Sequence, residues 1–499
     1  MPASRKPFRP SLLPLVAACA AALAPGASRA AGPVTATPPA PAAAAVRAVQ
    51  VPAFRRIVLP NGLVLVLMPI REVPLTAFSV IVRSGARADA PAKAGTAALL
   101  AALLEKGAGG RDAFAFADAV AGAGGSFNAA AGPEAITLGG QFLSRDRELM
   151  VGLIADVLLR PRLEAAEFDK LRTRAIEEIK AAKDSDPSGL VGTYGRALLF
   201  GTHPYATPVD GSEHSLAGVT HDDVSGYWRR EFGADRTTIV FAGDIDERWL
   251  EAAARRAFGG LARAAAPAAA LPEAPPLHGR RVLLVDAPGS VQAYFWLGNV
   301  GVARRYPQRA ALDVLNTLYG GRFTSILNTE LRIKTGLSYS ASSGFVRGSV
   351  PGEFAIRSFT QTENTARALD LALATLAKLH ADGVDAVQLD SARAYVLGQY
   401  PLRLETAAHW AGTMAELEFF GQDRSYIEGY GPALAAVGLD DARAVIADAF
   451  PSPDDLAIVL IGDAAKIRDV ARRYGPVTET QLAAEDYLPA SVPAPAPTR

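Results

Sequence analysis

The chain has 499 residues, 49% of them apolar and 20% charged, which excludes a largely disordered protein and provides for two or three domains with filled cores. Lys plus Arg and Asp plus Glu both number 51, so there is no basic surplus to hold a phosphate backbone, and nucleic-acid binding is a poor reading. The one cysteine, Cys19, rules out structural disulfides, cysteine-rich zinc sites and a cysteine nucleophile in a mature chain.

Residues 1–30 have the order of an export signal. Arg5, Lys6 and Arg9 precede the apolar run 12–23, and Ser28-Arg29-Ala30 is a small-x-small cleavage site. Cleavage after Ala30 is the favoured reading and leaves 47 basic against 51 acidic residues in an exported, periplasmic protein. The alternative is a lipid anchor, because Val16-Ala17-Ala18-Cys19 resembles a lipobox that would leave Cys19 acylated. Later apolar stretches, 57–70 and 94–104, fall short of the roughly 18 residues a transmembrane helix requires.

Ala/Pro-rich segments at 31–52, 262–277 and 488–499 read as linkers and tail, and between them lie two blocks, 53–261 and 278–487. In the first block, strands are predicted at 56–58, 63–68 and 76–83, with Asn61-Gly62 as a hairpin turn. A helix over 94–106 stops at Gly107, a strand returns at 134–142, and helices follow at 145–159, 164–183 and 189–200. The second block repeats the first. Gly243-Asp244 and Gly462-Asp463 each follow an apolar strand and lie 219 residues apart, while the strands opening at Ala77 and Tyr294 are 217 apart. The expected fold is α+β: two homologous domains, each a mainly antiparallel sheet with helices packed on one face.

Taken together, these landmarks resemble the pitrilysin/insulinase zinc peptidases, especially the two-domain subunits of mitochondrial processing peptidase and their bacterial relatives. The resemblance runs through Leu59-Pro-Asn-Gly-Leu63, Ser126-Phe-Asn-Ala129, His203-Pro-Tyr205 and Gly243-Asp244 to Glu330-Leu-Arg-Ile-Lys-Thr-Gly-Leu-Ser-Tyr339. Active members carry H-x-x-E-H on the helix after the third strand, two imidazoles for zinc and a glutamate for the attacking water. Aligned through Gly95 and Lys106-Gly107, the histidines fall on Ala98 and Ala102 and the glutamate on Ala101. Methyl groups cannot ligate a metal, and the first histidine of the chain is His203. The family's third ligand corresponds to Glu178 or its neighbour Glu177; a solvated helix-face acid is the favoured reading of Glu178 and a functional relic the alternative. The chain alone is therefore expected to be inactive, with no metal of its own.

None of the other histidines forms H-x-x-x-H, and Ser212-Glu213-His214 is a poor triad because adjacent residues rarely converge on one reacting atom. His203 is expected to fix a loop. In the second block a helix over 323–334 should end at Gly336, with a strand over 339–347. In paired family members one subunit carries zinc and the other an Arg/Tyr pair at this spacing, so the resemblance assigns Arg332 and Tyr339 to substrate binding in trans. Gly320-Gly321 is either a close-approach point for a peptide backbone or an ordinary turn. The implied protein is a non-catalytic subunit of an exported heterodimeric zinc peptidase, with zinc in a homologous partner and a peptide substrate. In that reading clam-like halves enclose a chamber in which an extended peptide adds to a sheet edge. The alternative is a peptide-binding scaffold, in one form a homodimer, without a catalytic role.

Overall fold

The structure, a computed structural model, describes residues 49–488 except 91, 266 and 269. The leader, Cys19, most of the 31–52 segment and nearly all of the tail lie outside the described residues.

The first half builds one six-stranded sheet from β1 (Arg55–Val58), β2 (Val64–Pro69), β3 (Leu75–Val82), β4 (Ser126–Ala131), β5 (Ile136–Leu143) and β6 (Thr237–Gly243), in the order β1-β2-β6-β3-β5-β4. The second builds another from β7 (Arg281–Asp286), β8 (Gln292–Val300), β9 (Ala341–Phe345), β10 (Glu353–Gln361), β11 (Ala457–Gly462) and β12 (Val477–Gln481), in the order β9-β10-β8-β11-β7-β12. Five strands correspond in order and direction, down to a parallel pair in each sheet, β2 with β6 and β7 with β11. Ala77 lies opposite Ala242 and Tyr294 opposite Ile461, so the two sequence offsets describe equivalent register positions. The sixth strand breaks the symmetry. In the first half it comes from upstream and pairs antiparallel, as β1 on β2; in the second it comes from downstream and pairs parallel, as β12 on β7.

Strand side chains alternate between faces, and here both faces are covered, which is why β3, β6 and β11 are near-continuous apolar runs. On β3, Phe78, Val80 and Val82 enter the core made with the first half's own helices. Ala77 and Ile81 point the other way, onto α5 (Ala407–Phe420), a helix of the second half, beside its Trp410 and Met414. The second sheet answers in kind. Phe295 and Leu297 of β8 pack among that half's helices, while Trp296 packs against α3 (Val191–Phe200) of the first half. Each half therefore covers one face of its own sheet and one face of its partner's.

The Ala/Pro segment over 262–277 runs along this junction; Leu277 N–H donates to Asn299 Oδ1 at 2.8 Å, and His203 fixes the segment through Nε2 at 2.8 Å from the Pro272 carbonyl. Within α3, Gly195 is required by contact, since a Cβ there would enter the Trp296 ring. Gly195→Ala is expected to destabilise by about 1–3 kcal/mol through overpacking. By contrast, exposed Gly152 on the helix Arg147–Leu159 has open space around it, and Gly152→Ala should stabilise by about 1 kcal/mol. Urea unfolding of both variants separates packing from helix propensity.

Candidate functional site

The helix that carries the alanines, α1 (Thr96–Leu104), starts at Gly95, whose φ of 95° is left-handed. Asp89 caps it: Oδ2 accepts from Gly95 N–H at 2.9 Å and Oδ1 from Ala97 N–H at 3.0 Å. Leu99, Leu100, Leu103 and Leu104 are buried, which fixes the helix by its apolar face. Ala98 and Ala102 line a cavity of about 530 Å3, while Ala101 is buried in the first-half core. Across the cavity runs α2 (Ala165–Ser185), which brings Glu178 to the lining but not Glu177.

Zinc does not fit this donor set. Glu178 Oε1 accepts from Arg174 Nε at 2.7 Å in an exposed pair within its own helix, and the two other facing positions, Ala98 and Ala102, offer no donor atom. Among the described residues no group of three or more His, Cys, Asp or Glu could hold a metal ion. Glu105, at the end of α1, reaches over the cavity to accept the Ala129 N–H of edge strand β4 at 2.5 Å. Neither Glu105 nor Tyr487, which also lines the cavity, was singled out from sequence. Tyr487 arrives on a strap after β12. Ser212 Oγ donates to Asp486 at 2.6 Å, Lys183 Nζ to the Ala484 carbonyl at 2.6 Å, and the Tyr487 ring sits edge-on to Tyr194 at 5.0 Å.

This arrangement disperses the Ser212-Glu213-His214 trio. Ser212 caps the helix Glu213–Gly218, Glu213 pairs with Lys183 at 2.6 Å, and His214 lies near Glu485. His203 does hold a loop, its Nδ1 accepting from Tyr205 N–H at 3.0 Å.

In the second half the helix expected over 323–334 is shorter and looser. Ser325 caps a turn at Ile326–Asn328, and the residues Thr329–Lys334 wind with wider, π-type turns. The strand expected over 339–347 is Ala341–Phe345. Gly336, at φ 64°, turns the chain back. Arg332 and Tyr339 are thereby brought together: the guanidinium lies 4.4 Å from the Tyr339 ring centroid and 4.9 Å from that of Phe323. Tyr339 is 72% exposed and Phe323 62%. Among the described residues the Arg332 side chain forms no hydrogen bond or ion pair, its carbonyl accepting from Gly336 N–H at 2.9 Å, so its fork of donors remains open. Gly320 is taken up by packing, since a Cβ there would strike Ser343 of β9; Gly321, beside it, is exposed.

The sequence of the described fold matches known proteins along most of its length. The profile described as Insulinase (Peptidase family M16) matches residues 70–203, and that described as Peptidase M16 inactive domain matches 218–396. A protein of Mycobacterium bovis named as an uncharacterized zinc protease is 30% identical over 373 residues, covering 74% of this chain and 85% of the relative. The chain belongs to the insulinase family, peptidase family M16. Another family relative, the mitochondrial-processing peptidase subunit beta of Lentinula edodes, is 26% identical over 211 residues, 42% of this chain and 45% of that protein. Among solved structures, a peptidase M16 inactive domain from Pseudomonas fluorescens superposes with a TM-score of 0.77 at 24% identity, over 82% of this chain and 98% of that one. A protease from Helicobacter pylori gives 0.74 at 21%, over 82% and 99%. These two share the M16 fold.

Two measurements probe this M16 site. Equimolar zinc should leave the melting temperature unchanged, whereas Ala98→His with Ala102→His and Arg174→Ala should give a zinc-dependent rise of several degrees. The second concerns Asp89, whose carboxyl is pushed up to about 7 by burial, against the pull of the Ala97, Gly95 and Thr96 N–H groups. The folded chain then holds this proton more tightly than the unfolded chain, where the group titrates near 3.9. Its contribution is full below about pH 4 and is lost as pH rises to about 7, after which it stays flat. Asp89→Asn should remove that slope from urea midpoints measured between pH 4 and about 8.

Proposed function

We propose that this chain is the non-catalytic, substrate-binding subunit of an exported two-subunit zinc peptidase, and that it supplies Arg332 and Tyr339 to a homologous partner's metal site. The observation that carries the reading is the contrast between the two halves. Where zinc would be held, the lining offers two methyl groups and a carboxylate tied to Arg174. At Arg332, an aromatic clamp holds an unpaired guanidinium at the surface.

The chemistry of that pair suits a peptide bond under attack. As the carbonyl oxygen becomes anionic, the guanidinium and the phenol O–H offer donors held in place beforehand, so little reorganisation accompanies the reaction. The partner contributes zinc, the water it activates and the general base; this chain contributes orientation and charge stabilisation. The outer edge of β4, apart from the Ala129 N–H held by Glu105, gives an extended peptide a strand to pair with, which favours short or unfolded substrates over folded proteins. Export by residues 1–30 places the pair in the periplasm.

Expressing the chain with and without a zinc-motif homologue from the same organism tests the assignment by peptide cleavage. Activity should appear only in the mixture and fall by about 10²–10³ with Arg332→Ala or Tyr339→Phe. Full activity of the homologue by itself would leave this chain a peptide-binding scaffold, and self-dimers on a sizing column would then be its functional form.

A further inference from the structure

A second cavity, of about 330 Å3, lies where the two halves meet. One wall is the turn 132–135 between β4 and β5, the other the equivalent turn between β9 and β10, including Val346 and Gly348. Phe200 at the end of α3 and Phe419 near the end of α5 close it, 219 residues apart. Glu134, in the turn two residues before β5, and Glu353, the first residue of β10, line the same space. A carboxylate from each half therefore stands against one largely apolar chamber.

Each carboxylate is half satisfied. Glu134 is 7% exposed; its Oε1 accepts from the Tyr205 hydroxyl at 2.7 Å and from Ser349 N–H at 2.8 Å, while its buried Oε2 has no hydrogen-bond partner. Glu353 is 1% exposed; Arg357 donates to its Oε1 at 2.6 Å, and its Oε2 is likewise unpartnered. A buried acceptor left without a donor costs about 1–3 kcal/mol, and more when charged.

The nearby cations already have partners, in one case Glu353 itself. Arg196 stands 3.7 Å from Glu353, Arg347 pairs with Asp313 at 2.9 Å, and Arg304 with Glu416 at 2.9 Å. Arg83 donates to the Glu418 carbonyl and lies over the Phe419 ring. Burial pushes the Glu353 carboxyl up, against the pull of Arg196 and Arg357. Among the described residues no ion pair reaches Glu134, although its charge acts on the nearby Arg83, so its unmet demand is the missing donor to Oε2.

We propose that this chamber binds a small organic cation, a primary ammonium on a short apolar body. The ammonium donates to Glu134 Oε2, with Glu353 as a second acceptor, and the hydrocarbon lies between Phe200 and Phe419. The volume is that of a small-molecule site, and few polar groups in an apolar lining is the composition such sites have. An ammonium-to-carboxylate hydrogen bond in that setting is of the strong, charge-assisted kind.

Calorimetric titration of the whole chain near neutral pH with n-hexylamine, and in parallel with n-hexanol, tests this. Hexylamine should bind one per chain, and hexanol, with the same body and no charge, at least about tenfold more weakly. Glu134→Gln should weaken hexylamine by a similar factor and leave hexanol unchanged. Equal binding of the two probes by the unmodified protein, or none at millimolar concentration, overturns the proposal whether or not the variant folds. Binding of dileucine amide without binding of hexylamine also overturns it, because the cation recognised would then be a peptide terminus.

Discussion

The exchange of helices between the halves is the constraint on which the rest depends. A sheet with helices on one face leaves a second apolar face to cover, and neither half has its own helix for it. Helix α5 covers the first sheet with Trp410 and Met414, and α3 receives Trp296 of the second at Gly195. Neither sheet is fully buried without the other half, so the duplicated units form one body instead of two beads on a linker. The same junction sets the functional geometry. It brings the hairpin turns of the two sheets together around Glu134 and Glu353, and it fixes the cavity lined by Ala98 and Ala102 with respect to the second half.

The two halves have diverged in chemistry while keeping a common frame. In the first, three alanines stand on a helix that is otherwise anchored by leucines, so the packing of α1 does not depend on the side chains at Ala98 and Ala102. Small side chains opened space, and the neighbouring charges paired among themselves, Glu178 with Arg174 and Glu105 with the β4 backbone. In the second half, the wide turns of Thr329–Lys334 displace Arg332 from a regular helix and set it between two exposed rings. Exposed aromatic side chains holding an unpaired cation do little for the stability of an isolated chain.

Much of this was legible in the sequence because the signals were local or repeated. The loss of imidazoles needed only the positions of the histidines, and the duplication showed in the spacing of Gly-Asp pairs that end equivalent strands. The continuous apolar runs of β3 and β6 also carried a sign of two-sided burial, since a half-exposed strand alternates. What stayed hidden was long-range. Nothing near Glu134 marks it as sharing a chamber with Glu353, because a buried carboxylate and a solvated one look alike in sequence. The helix expected over 323–334 differed at its start because Ser325 and Asn328 bond to neighbouring backbone, which competes with regular winding.

The strap that carries Tyr487 gives this fold a particular order of completion. Asp486 bonds to Ser212, the Ala484 carbonyl to Lys183, and the Tyr487 ring meets Tyr194 edge-on, so residues 484–487 finish the wall of a cavity whose floor lies near residue 100. A nascent chain emerging from the ribosome, or threading through a translocation channel, can lay down the first sheet early. It cannot seal that chamber until residues 484–487 have emerged, and until then the chamber stands open to whatever chaperone meets it.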